Sequence, residues 1–216
     1  MSDTIGEVKG LFNGNKLVVI LPIFLMAFMF FGGWFYLQQS DVISNEDLYE
    51  HVELEAQLEE NSTQQLDVSW EWRETPEEGL VGEDYIGISV IDEDEQPLLS
   101  EEIEEASLQL FDGEDVIYET EGEEVENGII FSFPNELEEN VTYGNEGHIN
   151  MTITGSAESA SVSYLHTWVE HDGLESEDAR FFSPSFAGQD EENVSWVIER
   201  FVEAGEVSGG QGTGTP

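Results

Sequence analysis

Apolar and polar residues alternate with a period of two through much of the chain after residue 50. In "QLDVSWEWR", Leu66, Val68, Trp70 and Trp72 fall on one side and polar residues on the other, the pattern of a half-buried strand. The alternation recurs in "DYIGISVI", "ASLQLF", "DVIYE", "GIIFSF", "HINMTIT" and "SVSYLHTWVEH", between turn-rich stretches. This pattern predicts a mainly β chain, with an antiparallel β-sandwich of immunoglobulin-like type over residues 51–171.

An uncharged stretch, "LVVILPIFLMAFMFFGGWFYL", begins at Leu17 and ends at Leu37. As a helix it would be about 31 Å long, which matches the hydrocarbon core of a bilayer. Residues 17–37 are therefore predicted to form a transmembrane helix in contact with the lipid bilayer. Bulky aromatics at its end favour an uncleaved anchor over a signal peptide. A type IV pilin leader at "VKGLF" is a further alternative, against which the polar "NGNK" before the apolar stretch argues.

The lysines give this predicted span a direction. Lys9 and Lys16 precede it, and the next basic residue is Arg73. The positive-inside rule then makes residues 1–16 a cytoplasmic tail and places the rest of the chain outside the cell. Residues 41–50 are predicted to be a juxtamembrane linker.

The chain after the predicted sandwich has a different pattern. Residues 172–205 are predicted to be a C-terminal extension with a short amphipathic helix, because apolar residues recur at helical spacing at Val194, Val197, Ile198 and Phe201. Alternation at Val194, Trp196 and Ile198 leaves a terminal strand as the alternative. The glycine-rich residues 206–216 are predicted to be a disordered tail.

The charge of the chain is very one-sided. It has 49 acidic residues against five basic ones, a formal net charge of −44, with only two acidic residues before residue 41. Five Trp, 13 Phe and six Tyr argue against a disordered acidic chain. This composition is typical of a halophilic, archaeal protein whose charges are screened by salt, with a mesophilic acidic protein as the alternative. It disfavours nucleic acid as a partner.

The chemistry expected from the sequence is limited. No cysteine is present, which excludes disulfides, thiolate metal sites and Cys nucleophiles. No P-loop, dinucleotide fingerprint, H-E-x-x-H or G-x-S-x-G motif occurs. We therefore expect no enzyme and no cofactor, but a binding, structural or accessory protein with a membrane or surface protein as its partner. A surface hydrolase is the less favoured alternative.

A few residues could bind metal ions. The soft or borderline ligands that could suit copper are His148, Met151, His166 and His171. In a regular strand His148 and Met151 point to opposite faces, and His166 falls in the apolar row of Tyr164 and Trp168, so a structural role is favoured and no dedicated metal site is predicted. Asp92 and Asp94 are expected to bind solvent cations diffusely.

Four N-glycosylation sequons follow the predicted span. They begin at Asn61, Asn140, Asn150 and Asn193. All four would lie outside the cell, as glycan transfer requires. The alternative is that these residues are ordinary outward-facing polar positions.

One segment resembles a known family. "ISVIDEDEQPLLSEEIEEASLQLF", with Asp92, Pro97 and Leu98, is similar to a strand, acidic turn and strand of the FixH/YtkA-like group, and "GHINMTIT" resembles that group's late strand. Glu95 departs from the turn glycine usual there. Over residues 17–170 the resemblance implies one membrane span, an outer immunoglobulin-like domain and, as the alternative function, an accessory role in copper handling or terminal-oxidase assembly.

We predict that the acidic region after residue 40 is folded in molar salt and expands or unfolds at 0.1 M. At that ionic strength the screening length rises from about 3 Å to about 10 Å, and neighbouring carboxylates repel one another. Circular dichroism during a salt titration measures this. An unchanged β signal and cooperative melting in dilute buffer would contradict halophilic adaptation.

Overall fold

The computed structural model describes residues 16–37, 43–61, 63–94, 96–98, 102–189 and 194–211. The chain divides into two units, residues 1–42 and residues 43–216. The first contains helix α1 (Lys16–Leu37), and the second contains antiparallel sheets that form a sandwich. The predictions of a mainly β chain and an antiparallel sandwich are confirmed.

Helix α1 carries large apolar side chains on all its sides. Nine of them are 61 to 72% exposed: Leu21, Ile23, Phe24, Leu25, Met26, Phe28, Met29, Phe30 and Phe31. Within the part of the chain that the structure describes, no helix has both the length and the apolar character needed to cross a membrane. The transmembrane helix at residues 17–37 remains a prediction.

Thirteen strands are seen in the described residues of the second unit, after a 3-10 helix at Leu48–His51. They are β1 (Val52–Leu58), β2 (Gln64–Trp72), β3 (Glu83–Ile91), β4 (Ile103–Asp112), β5 (Asp115–Glu121), β6 (Glu123–Val125), β7 (Gly128–Pro134), β8 (Leu137–Glu138), β9 (Val141–Thr142), β10 (Glu146–Ile153), β11 (Ser159–Thr167), β12 (Ser195–Glu203) and β13 (Val207–Gln211).

Two main sheets are formed largely from strands that are distant in sequence. The six-stranded sheet has the order β13-β1-β2-β10-β4-β5, and the five-stranded sheet has the order β12-β11-β3-β7-β6. The chain crosses between them from β2 to β3 and again from β10 to β11, while β2 pairs with β10 and β3 pairs with β11. Strands that are distant in sequence therefore lie side by side within each sheet.

The main core lies between these sheets. The apolar residues of β2 alternate inward as predicted, with Leu66 and Val68 fully buried. Trp70 fills the centre, with its ring 5.1 Å from Phe133 and 5.9 Å from Tyr164. Truncating a buried aromatic of this size typically costs about 3–5 kcal/mol, so this alternating row is a major source of stability.

A second apolar cluster lies on the outer face of the five-stranded sheet. Residues 172–189, which we call the strap, run across this face and contribute Ala179, Phe181 and Phe186 to the cluster, against Tyr85 and Leu165 of the sheet. A bridge between Leu174 and Phe186 holds the two ends of the strap together. With both faces covered, all nine residues of β11 are buried, including the polar residues Ser159, Ser161, Ser163, His166 and Thr167.

The strap approaches the sheet closely because two positions lack a side chain. A Cβ atom at Gly87 would lie 1.9 Å from the carbonyl oxygen of Ala179. One at Gly128 would lie 2.0 Å from the carbonyl oxygen of Ile88 in β3 and 3.1 Å from the Ala179 Cβ. Asn127 fixes the contact, since its Nδ2 donates to Asp178 Oδ1 at 2.7 Å and its Oδ1 accepts from the Ala179 N–H at 2.9 Å. The glycines leave the space and Asn127 sets the register.

The predicted C-terminal helix within residues 172–205 is wrong. Its apolar segment forms β12, which pairs with β11 from Ser195 opposite Thr167 to Glu203 opposite Ser159. Trp196, Ile198 and Val202 are buried against the core. The apolar residues of this segment fit both the helical period and the strand period of two. A strand forms because it pairs with backbone N–H and C=O groups at the edge of β11, which a helix would leave unpaired.

Two further boundaries differ from the sequence prediction. Residues 207–211 of the predicted disordered tail form β13, which pairs with β1, while residues 212–216 lie outside the described residues. Ile43, Asn45 and Leu48 of the predicted linker are buried in the second unit. Both segments contain few apolar residues, so the sequence pattern does not predict which strands or core residues they contact.

We predict that acid weakens the attachment of the strap through Asp178. Burial by itself raises the pKa of the Asp178 carboxyl, but three hydrogen bonds and the Arg180 guanidinium outweigh it and lower the pKa below its usual value of 3.8. The folded pKa is therefore the lower one, so the ionised carboxylate stabilises the strap above about pH 4 and this stabilisation is lost as the pH falls through the folded pKa.

Amide hydrogen exchange of the strap in molar salt measures this effect. Asp178→Asn should exchange faster than the wild type at pH 6, and the two should converge as the pH falls toward about 2. Asp115→Asn is the matched control, because its side chain lies exposed beside the β4–β5 turn. A constant difference between Asp178→Asn and the wild type across this range would argue against the assignment.

Candidate functional site

The second unit buries a pair of ionisable side chains between its sheets. Asp84 on β3 and His166 on β11 are both 0% exposed, and 3.0 Å separates His166 Nδ1 from Asp84 Oδ2. Charged groups are rarely buried this completely without partners. The surrounding hydrogen bonds are therefore essential to this pair.

The Asp84 carboxylate accepts hydrogen bonds at both oxygens. In addition to His166, the Tyr164 hydroxyl donates to Oδ2 at 2.7 Å. Oδ1 accepts from Asn135 Nδ2 at 2.8 Å and from the Thr167 N–H at 3.1 Å. Burial and the nearby Asp84 raise the pKa of Tyr164 well above its usual value of 10, so this hydroxyl remains a donor. Four donors match the full acceptor capacity of an ionised carboxylate.

His166 has hydrogen-bonding neighbours at both ring nitrogens. Nδ1 lies 3.0 Å from each Asp84 oxygen and 3.2 Å from Asn135 Nδ2, and Nε2 lies 3.3 Å from Asn45 Oδ1. The orientation of the Asn45 amide is consistent with this contact, because its Nδ2 donates to the carbonyl of Gly79 at 3.3 Å. Hydrogen-bonding groups therefore hold the imidazole ring at both of its nitrogens, and the cluster is a buried polar network.

Three tryptophans surround the His166 ring. The ring centroids lie 4.8 Å from Trp196, 5.5 Å from Trp72 and 5.8 Å from Trp168. The Trp196 and Trp168 rings are tilted by 31° and 35° from the imidazole, and Trp72 meets it edge to face. Aromatic rings packed this closely fix the position and tilt of the imidazole.

This cluster has the groups of an acid–base pair but no access for a substrate. Its hydrogen-bonding side chains are 0 to 3% exposed: Asn45, Asp84, Asn135, Tyr164, His166 and Thr167. Asn135 Oδ1 is buried and has no hydrogen-bond partner in the described part of the chain. The cluster can therefore fix the relative positions of several segments.

The sequence analysis identified His166 as a candidate but missed Asp84. The only signal for Asp84 in the sequence is its place just before the long apolar run "YIGISVI".

The other copper-ligand candidates lie apart from this pair. His148 has a side chain 40% exposed, with Nε2 3.4 Å from Asp67 Oδ1, while Met151 is fully buried in the core. The two therefore point to opposite faces of β10, as predicted. His171 stacks on Phe186 at 4.7 Å. Among the residues with described placement, no three His, Cys, Asp or Glu side chains are grouped to hold a metal ion.

Asp92 acts within a turn. Its Oδ1 accepts hydrogen bonds from the backbone N–H groups of Asp94 and Gln96, each at 2.9 Å. The chain then returns so that Pro97 bridges to Ile91. This explains an aspartate at the start of the turn by local hydrogen bonding, and diffuse cation binding at Asp92 and Asp94 remains a prediction.

An open groove on the outer surface concentrates negative charge. It has a volume of about 430 Å³ and lies between the five-stranded sheet and the first part of the strap, with carboxylates from Glu83, Glu121, Glu123, Glu175 and Glu177. Burial and Glu83 raise the pKa of Tyr85, which lines the same groove. In strong salt such a groove attracts cations without selecting one.

The sequons differ in their surroundings. Asn140 is exposed in the turn between β8 and β9, while Asn150 is half-buried in the central strand β10. Asn61 is exposed after β1. Asn193 lies outside the described residues.

Comparisons with known proteins give no match. No protein-family model, curated protein or solved structure is similar to this chain.

We predict that Asp84→Asn lowers the free energy of unfolding by about 1–3 kcal/mol, the usual cost of leaving buried hydrogen-bonding groups unsatisfied. The amide would place an NH₂ group against the donors that now face a carboxylate oxygen. Thermal or urea unfolding in molar salt measures this loss of free energy. Asp67→Asn, on the wet face of β2, should cost less than about 1 kcal/mol. Equal losses for the two variants would contradict the role given to the cluster.

Proposed function

We propose that the protein is a single-pass membrane protein whose outer acidic β-sandwich serves a binding or structural purpose at the cell surface, without a reaction of its own. The observation that carries the proposal is the exposure of nine large apolar side chains around α1. A helix that is apolar on all sides needs an apolar environment. Lipid tails supply one along residues 17–37.

The distribution of charge supports the orientation. The two lysines of the chain lie before residue 17, and only arginines follow, at Arg73, Arg180 and Arg200. Positive residues before the span favour a cytoplasmic N-terminus. The sandwich then faces the outside, where the salt of a halophile's surroundings would screen its carboxylates.

The strand order supports an immunoglobulin-like assignment. Constant-type immunoglobulin domains have the sheet orders A-B-E-D and C-F-G. With β1 to β4 taken as A to D and β10 to β12 as E to G, the present sheets contain β1-β2-β10-β4 and β3-β11-β12. Strands β5 to β9 are then an insertion between D and E. Such sandwiches commonly serve as cell-surface binding modules.

The chemistry of the domain favours binding over catalysis. Its imidazole–carboxylate pair is closed to solvent, and the carboxylates of the open groove are spread over three strands and the strap. A catalytic site needs a substrate within reach of a positioned acid or base. A protein or glycan partner at the cell surface fits the exposed, acidic exterior better.

Fractionation of cells that express the full chain tests the anchor. The wild type should sediment with membranes after a molar-salt wash and be released by detergent. Met26→Arg combined with Phe28→Arg should weaken insertion, since each arginine costs about 2.5–3.5 kcal/mol at the centre of a span. The matched control is Met26→Leu combined with Phe28→Leu, which keeps the helix apolar. A wild-type chain that stays in the soluble fraction would refute the anchor.

A further inference from the structure

The hairpin of β8 and β9 stands apart from both main sheets. Its strands, Leu137–Glu138 and Val141–Thr142, pair only with each other among the described strands. The hydrogen bond from the Tyr143 N–H to the Glu136 carbonyl closes its base at 2.8 Å. With so few backbone contacts, this hairpin can open without disturbing the sandwich.

Asn140 occupies the tip of this hairpin. It and Glu139 have φ angles of 72° and 50°, the left-handed pair that a two-residue type I′ turn requires and that asparagine tolerates well. Asn140 is exposed, and its side chain makes none of the hydrogen bonds found among the described residues. Its amide nitrogen is therefore open to an approaching enzyme, and Val141 and Thr142 complete the sequon.

We propose that Asn140 carries an N-linked glycan and that Asn150 does not. The donor is an oligosaccharide linked through phosphate to a lipid. Asn140 Nδ2 forms a bond to C1 of the first sugar while the bond from C1 to the phosphate oxygen breaks. The lipid phosphate leaves with the electron pair, and the amide loses one proton to a base of the transferase. The inference rests on the proposed outward orientation of the sandwich.

Asn150 has the same motif in an unsuitable place. It lies in β10, between β2 and β4, and its Nδ2 donates to Asp67 Oδ1 at 2.9 Å. The middle residue of its sequon, Met151, is fully buried in the core. A transferase could engage this sequon only by removing a central strand from the six-stranded sheet.

Asn61 is intermediate between these two. It is exposed, but its Nδ2 donates to Glu59 Oε2 at 2.8 Å. Its modification would neither support nor weaken the contrast between Asn140 and Asn150, which differ in exposure, backbone conformation and freedom of the amide.

Mass spectrometry of the full chain, made in a halophilic archaeal host that glycosylates its own surface proteins, tests the proposal. Cleavage after glutamate separates the sequons, giving peptides 61–71, 140–146, 147–158 and 193–199. We expect a glycan mass on peptide 140–146 and none on peptide 147–158. If the glycan blocks cleavage after Glu139, cleavage after Glu138 gives peptide 139–146 instead, and the glycan mass is sought on that peptide.

Matched threonine variants separate the two sites. Thr142→Ala should abolish the glycan at Asn140, because it removes the hydroxyl that the motif requires. Thr152→Ala removes the same group from the Asn150 sequon and should leave the mass of peptide 140–146 unchanged. A glycan on peptide 147–158, or a glycan at Asn140 that survives Thr142→Ala, would overturn the proposal.

A topology measurement distinguishes failure of the inference from failure of the proposed function. The chain has no cysteine, so Glu114→Cys places a single thiol in the exposed β4–β5 turn for a membrane-impermeant maleimide. Labelling of intact cells together with an unmodified peptide 140–146 overturns the glycan assignment while the orientation stands. Labelling only after lysis overturns both.

Discussion

The buried pair of Asp84 and His166 is the contact on which the assembly of the sandwich depends. Its hydrogen bonds reach four parts of the chain: β3, β11, the β7–β8 connection through Asn135, and the segment before β1 through Asn45. Trp196 adds β12, because its Nε1 donates to the Asn45 carbonyl at 2.9 Å. Buried polar groups are costly when their partners are absent, so these segments stabilise one another in their observed places.

The strap determines which surfaces remain open. By covering the outer face of the five-stranded sheet it makes β3 and β11 interior strands, and the close approach at Gly87 leaves no room for another chain there. The outer face of the six-stranded sheet keeps its alternation of buried and exposed residues, with Asp67, Glu71 and His148 facing outward. A partner of the sandwich would therefore meet an acidic, uncovered sheet face or the loops at its ends.

The excess of carboxylates and the buried core are compatible because they occupy different faces. In β1 the buried residues alternate with exposed or half-buried Glu53 and Glu55, and the same separation holds along β2 and β10. Asp84 is the exception: its buried carboxyl group lies against His166 and accepts hydrogen bonds from the backbone and side chains. Repulsion thus acts mainly across the surface, where solvent ions reduce it.

The sequence by itself determined the antiparallel sandwich, the inward rows of β2 and β10, and the opposite directions of His148 and Met151, because a period of two fixes which residues share a face. It also placed His166 in the same row of a strand as Tyr164. Only the tertiary structure decided that residues 195–203 form a strand, that residues 207–211 extend the first sheet, and that Asp84 meets His166. These outcomes depend on edges and partners about 30 to 150 residues away in the chain, which no local pattern encodes.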